Sequence, residues 1–347
     1  MICLFSLYIF ERSGESILNL NVDEVSLNKK PILDSCIKEW DGLLNRADSS
    51  CIFFSHWFLT SWHELFSPNR DLVICFIRKN NQLVGIIPIL KDKSNLILAG
   101  DPELFDYQQL IIEKGMEAEV INAFFDYLSQ KDWQRFELPS VSNNSQQINI
   151  LMKIAEERSY SIKCEQSAVS PVLELPDSWD LYIASLRKKY RHELRRKIRR
   201  IESMGQVMNI SISKPSEKDM DEFFNLMRLT SDAKSEFLTK KIEDFFRLLI
   251  RTASERNHVN LSFLEFNSKR VSGCLVFDYQ NDFMLYNSGY DSSNRELSAG
   301  LINKAYTIKQ AIELDRSRFN FLKGPERYKY ELGGIDTPIY NISITRN

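Results

Sequence analysis

The sequence predicts an α/β protein of two similar lobes, each a mixed, mainly antiparallel sheet flanked by helices. Two observations carry this expectation: a β-rich segment occurs twice, and helical patterns stand in the same order around each copy. The first copy, LVICFIRKNNQLVGIIPILKDKSNLILAGD, covers residues 72–101, and the second, NLSFLEFNSKRVSGCLVFDYQNDFMLYNSGYD, covers 260–291. Superposing Gly85 on Gly273 aligns three apolar runs and two polar breaks, the pattern of a three-stranded antiparallel meander.

The breaks are short and polar: Lys79 to Asn81 and Lys91 to Asn95 in the first copy, Asn267 to Lys269 and Gln280 to Asp282 in the second. A glycine early in each middle strand marks a bulge or a close backbone approach. Helical periodicity precedes each meander, at Trp57–Phe66 and at Met220–Met227 with Ile242–Ile250. Further helices are expected at Ala118–Leu128 and Leu301–Ile312, each leading to one more strand, Arg135–Leu138 and Arg318–Leu322. The expected division is residues 1–165 and 166–347, and either half is long enough to bury a core.

With 43% hydrophobic and 27% charged residues and a formal charge of −2, composition describes an ordinary globular protein. Net charge gives no reason to expect a polyanion partner, so any basic patch is local. The six cysteines follow no CxxC or similar spacing, which speaks against a zinc site and a disulfide scaffold. His56 and His63 lie seven residues apart on one expected helix, without a third ligand that would make a metal site. The opening MICLFSLYIF is too short to span a bilayer and lacks a basic leader, so a cytoplasmic location is expected.

One segment between the copies stands apart. Leu186, Tyr190, Leu194, Ile198 and Ile201 recur at helical spacing and form an apolar stripe on a helix over 186–204 that Gly205 can end. The rest of its surface carries nine basic residues, among them Arg187, Lys188, Arg191 and Arg195, against Glu193 and Glu202. Like charges on one short helix repel, which favours an anion-binding role over a merely solvated face.

These features, with FFSHWFLTSWHELF, YNSGYDSSNRELSAGLINKA (286–305) and FNFLKGPERYKYELGG (319–334), resemble the CelD/BcsL-like acetyltransferases. That family is a branch of the GNAT superfamily related to the FemABX peptidyltransferases. The resemblance runs from about Phe53 to Gly334. It implies tandem GNAT-like lobes, acetyl-CoA or another acyl-CoA as donor, no metal, and an amine or hydroxyl acceptor on a small molecule or a saccharide or lipid precursor. The superfamily's pyrophosphate loop, Gln/Arg-x-x-Gly-x-Gly/Ala, corresponds to Arg295 through Gly300, with Ser298 in place of the first glycine.

The residues themselves support a phosphate site here. A strand ending at Tyr290, a polar loop and a helix opening near Ala299 aim free N–H groups and a positive helix end at an anion, with Ser298 as a possible N-cap. A plain strand–loop–helix junction is the alternative. The first copy continues after Asp101 as PELFDYQQLII, without a glycine loop or helix start, so only the second lobe is equipped for CoA. Direct attack on a thioester needs orientation, a polarised carbonyl and proton transfers. No GxSxG elbow or Cys–His pair is present. By position, Asn287 and Ser288 stand where the superfamily's sheet splays and a backbone N–H would meet an oxyanion. Tyr328 is the candidate proton donor to the thiolate, Glu326 the base, Lys329 an anchor for an acidic group and Asp291 a second base. Each also reads as part of a polar surface turn.

Two other readings compete. An aminoacyl-tRNA donor would use the basic helix along an RNA backbone, although no long helical hairpin is expected in the second half. A non-catalytic protein would dock the same helix on anionic lipid, a peripheral membrane contact.

Overall fold

Asn80 and Asn81, Asn267 and Ser268, and Gln280 and Asn281 all have φ between +47° and +67°. Paired positive φ values define the type I′ turn, whose twist matches that of the strands it joins, so these breaks close hairpins as the repeat requires. In the computed structural model, residues 20–26, 30–47, 52–142 and 146–347 are described; the opening decapeptide lies outside them.

The chain runs through β1 (Leu20–Ser26), α1 (Lys30–Arg46), α2 (His56–Phe66), β2 (Asp71–Lys79), β3 (Gln82–Asp92), β4 (Asn95–Leu98), β5 (Ile111–Ile112), α3 (Glu117–Ser129), β6 (Arg135–Ser142) and α4 (Gln146–Glu157). It continues with β7 (Ser161–Glu174), α5 (Trp179–Ser185), α6 (Lys188–Met204), β8 (Val207–Ile212), α7 (Glu217–Thr230), α8 (Asp232–Phe237) and α9 (Lys240–Glu255). Then come β9 (Val259–Phe266), β10 (Lys269–Tyr279), β11 (Asp282–Tyr290), α10 (Ala299–Glu313), β12 (Arg318–Asn320), α11 (Arg327–Glu331) and β13 (Ile335–Thr345).

All the described strands join one sheet in the order β1-β2-β3-β4-β6-β13-β7-β12-β11-β10-β9-β8, with β5 added to β3. Only β4–β6 and β11–β12 pair in parallel among these strands, so the two halves repeat one mainly antiparallel plan. The lobes meet by exchange. β7, which follows the first half's last helix, pairs with β12, while the C-terminal β13 returns to lie between β6 and β7. The expected division between residues 165 and 166 falls inside β7.

The repeated glycines do what their position suggests. The pairing register shifts beside each, leaving Val84 and Val271 as extra residues, so a bulge accompanies both. Helices then cover the sheet. α7 starts at a capping box of Ser216 and Asp219, and it buries Phe223, Phe224 and Met227 against β10 and β11. Asn303 of α10 ties that helix to three strands: it accepts from Asn209 (3.2 Å) and Ser262 (3.3 Å) and donates to the Ser262 carbonyl (3.1 Å) and Ser272 (3.3 Å). His56 and His63 are spent on packing, bonded to Asp41 (3.1 Å) and the Arg70 carbonyl (3.1 Å). No described helix is long and apolar enough to cross a membrane.

The backbone of α7 lies tight against β11 at Gly289. A Cβ there would stand 2.3 Å from the Met227 nitrogen and 2.5 Å from the Leu226 carbonyl carbon, both backbone atoms that no side-chain rotation can move. Gly289→Ala is therefore expected to lift α7 off β11 and lower stability by about 1–3 kcal/mol, read as a lower urea midpoint with an unchanged slope; wild-type unfolding would show that α7 does not seat on this residue.

Candidate active site

β11 and β12 pair only over Asp282–Met284 and Arg318–Asn320. Beyond Met284, β11 stays with β10 and leaves β12. A register shift opposite Leu275 and Val276 makes Tyr286 a bulge. The bulge turns Tyr286 into an aromatic group formed with Phe53 and Phe58 of the first half and Phe246 and Phe277 of the second. Its hydroxyl donates to the Leu104 carbonyl at 3.0 Å. Tyr107 fills the root of the opening, where its hydroxyl accepts from Asn320 Nδ2 (3.1 Å) and lies 3.9 Å from the Met284 sulfur.

The open edge of β11 is capped by side chains. Ser288 N–H donates to Asn287 Oδ1 at 2.9 Å, and the Ser288 carbonyl accepts from Lys234 Nζ, which also donates to Asn287 Oδ1 at 3.0 Å. Tyr290 N–H donates to the Thr230 hydroxyl at 2.9 Å. Lys234 is half-buried on α8; burial, and then the charge of Lys304, push its ammonium pKa down to about 8.

Past the strand, Ser292–Leu297 form a 3-10 turn rather than an open loop. Asp291 braces it, accepting from Ser293 N–H (3.0 Å), the Ser293 hydroxyl (2.5 Å), Asn294 Nδ2 (3.0 Å) and Lys269 Nζ (3.1 Å). The Ser293 bond chiefly holds this carboxyl below its usual range, which makes Asp291 a weak base. α10 opens at Ala299 as expected. Ser298 stands at its N-cap with φ +53°, yet its side chain makes no capping bond. The first turn's N–H groups thus lack a side-chain acceptor and face a cavity of about 380 Å³.

That cavity is lined by Ser298, Ala299, Gly300, Arg295, Tyr290 and Tyr328, with Lys304 and Lys197 as its buried and bordering cations. Lys197 comes from α6. The stripe of that helix explains its place: Ile198 and Ile201 pack on Leu297, Ala299 and Ile302, so the turn and the basic helix share one apolar patch. Arg187, Lys188 and Arg195 remain exposed, Arg187 beside a separate cavity, and Arg191 donates to the Ala184 carbonyl at 2.7 Å. The structure thus brings Tyr328 to the expected phosphate loop and leaves those four basic residues outside the cavity.

Lys304 is 5% exposed, donates to the Gly300 carbonyl at 3.2 Å and sits 4.7 Å from the Tyr328 ring centroid. Burial lowers its pKa and raises that of Tyr328, whose phenol stays protonated at neutral pH. Lys329 is sealed at 2% exposure; its ammonium donates to the carbonyls of Leu322 (2.9 Å), Lys323 (2.9 Å) and Gly324 (3.0 Å) and pairs with Glu326 at 2.8 Å. Three hydrogens meet four acceptors, so Lys329 holds the turn and has no donor left for a substrate. Glu326, largely exposed, is committed to that ion pair.

Three groups escaped the reading of the sequence: Lys234, Lys304 and Asp106. Asp106 belongs to the first half, in PELFDYQQLII, the stretch that aligns with the phosphate loop of the second. Its carboxylate accepts the Lys323 N–H at 3.1 Å across the lobe boundary. Burial pushes its pKa up to about 6, against the opposing pull of Lys323 and Lys329. Together these groups can hold an anion at the start of α10, polarise a carbonyl at Ser288 N–H, give a proton from Tyr328 and take one at Asp106.

No curated protein matches the chain. Among solved structures, a conserved protein of unknown function from Bacteroides thetaiotaomicron aligns with a TM-score of 0.60 at 13% identity, over 89% of this chain and 97% of that one. FemX aligns with a TM-score of 0.65 at 9% identity, over 88% of this chain and 95% of that one. At such identities the likeness is one of fold. Residues 188–330, from the basic helix through Tyr328 and Lys329, match the family model described as Acetyltransferase (GNAT) domain.

Proposed function

We propose that this chain is an acyltransferase of the CelD/BcsL-like kind, moving an acyl group, acetyl in the simplest case, from acyl-CoA to an amine or hydroxyl. The observation that carries the reading is one cavity shared by the uncapped start of α10, Lys197, Lys304 and Tyr328, beside the parted strand and within the matched domain. The acceptor is a small molecule or a saccharide or lipid precursor. An anionic acceptor suits the exposed basic face of α6.

In this reading the donor's phosphates meet the first N–H groups of α10 with Lys197 and Arg295 alongside. The thioester oxygen takes the Ser288 N–H that Asn287 now occupies. Asp106 removes the acceptor's proton, since a carboxyl near pKa 6 is mostly ionised at neutral pH yet basic enough to accept. Tyr328 protonates the leaving thiolate, and the adjacent Lys304 ammonium favours the phenolate that results.

Donor binding is tested by titration calorimetry with acetyl-CoA and longer acyl-CoAs. Lys197→Glu, at the cavity, should weaken binding by about tenfold or more, while Arg195→Glu, exposed on the same helix, should change it little. Equal effects would reduce Lys197 to a share of the helix's general field; no binding to any acyl-CoA would turn the reading to an aminoacyl-tRNA donor.

The pH profile tests the base. Above about pH 6 Asp106 is ionised and competent, so kcat/KM should fall about tenfold per unit as pH drops below that value. Asp106→Asn should remove this limb and slow turnover by about 100-fold or more. A limb unchanged in the variant assigns the titration to another group.

A further inference from the structure

Lys234 belongs to none of the roles above, yet its amine stands at the edge where the thioester would be held. Resting on the acyl-CoA reading, we infer that Lys234 is a self-acylation site, its own Nζ taking the acyl group from a donor bound in cis.

The geometry is specific to one residue of β11. Within a strand the N–H and C=O of a residue point to the same side. Ser288 turns both toward the open edge: Asn287 Oδ1 takes its N–H at 2.9 Å, and Lys234 Nζ takes its carbonyl. A thioester oxygen that replaces Asn287 on Ser288 N–H therefore sits one peptide unit from the amine, the juxtaposition an intramolecular attack needs. The bond from Nζ to Asn287 Oδ1, 3.0 Å, holds the side chain in that direction.

The titratable groups around the amine come from three elements besides α8. Lys304 of α10 opposes its protonation, Glu326 beside α11 favours it, and Cys274, a thiol whose ionisation burial disfavours, lies on β10. With its pKa near 8, a large fraction of Lys234 is the free amine in mildly alkaline buffer, whereas an exposed lysine is almost wholly protonated there.

In the step, the Nζ–carbonyl carbon bond forms and the carbon–sulfur bond breaks. The ammonium gives up two protons, one of which ends on the departing CoA thiolate and one in solvent, leaving an amide, free CoA thiol and one proton. No further reactant is required. Acylation removes one of the two ammonium groups at the opening while an amide N–H remains to serve the Ser288 carbonyl.

The test uses the purified full-length chain with acetyl-CoA and no acceptor, followed by peptide mapping by mass spectrometry. Expected is one acetyl group on Lys234, appearing at least about tenfold faster than on exposed Lys188 or Lys189, rising in rate between pH 7 and about pH 8, and lost in Lys234→Arg. Lys197→Glu should slow labelling of Lys234 in proportion to its weaker CoA binding and leave Lys188 unaffected. Calorimetric binding of acetyl-CoA without acetyl on Lys234, or labelling spread evenly over exposed lysines, overturns the self-acylation while sparing the donor site. Absence of any binding overturns both.

Discussion

A strand within a sheet satisfies its backbone through two neighbours, and β11 loses one of them after Met284. Everything that can be called a site here depends on what replaces that neighbour. Three side chains do so, Thr230, Asn287 and Lys234, and all can yield to a ligand that offers the same donors and acceptors. The gap is kept open from below by Tyr107 and turned outward by the bulge at Tyr286. A wedge of buried aromatic residues therefore maintains an edge that hydrogen bonding alone would close.

The two lobes contribute unequally to this arrangement. In the second, the stretch after the meander becomes a braced turn and a helix start, packed under α6 by Leu297, Ala299 and Ile302. In the first, the aligned stretch also turns on an aspartate, Asp101 accepting the Glu103 N–H at 2.9 Å, but no helix starts after it; Leu104 and Phe105 are buried, and Asp106 and Tyr107 bond across to Lys323 and Asn320 of the other lobe. Equivalent positions thus open a helix in one copy and form part of the opposite wall in the other.

Much of the fold was legible because its signals are local. Alternation, paired turn residues such as Asn80 with Asn81, and the stripe of α6 each act within a few residues, so the meanders and the main helices could be located. β7 and β13 were missed because their pairing depends on partners far away in the sequence, as with buried Ile339 opposite Ala168. The site was legible in part. The strand ending at Tyr290, the turn and the helix start at Ala299 were legible because they follow one another in the sequence. The role of an acid or a lysine is not announced in this way: Asp291 and Lys329 turn out to brace turns, while Asp106 and Lys234 stand at the opening, and residue type and spacing are alike in both cases. Only the count of partners each has gained on folding distinguishes them.

The exchange of β7 and β13 has a consequence for how such a chain can come into being. Each half finishes its sheet with a strand from the other, so a gene cut between the copies would yield two polypeptides with complementary exposed edges rather than two independent proteins. Such fragments would seek each other out. The same logic describes an ancestor: a single-copy protein whose terminal strand docked on a second molecule, an arrangement that duplication would make permanent by joining the two.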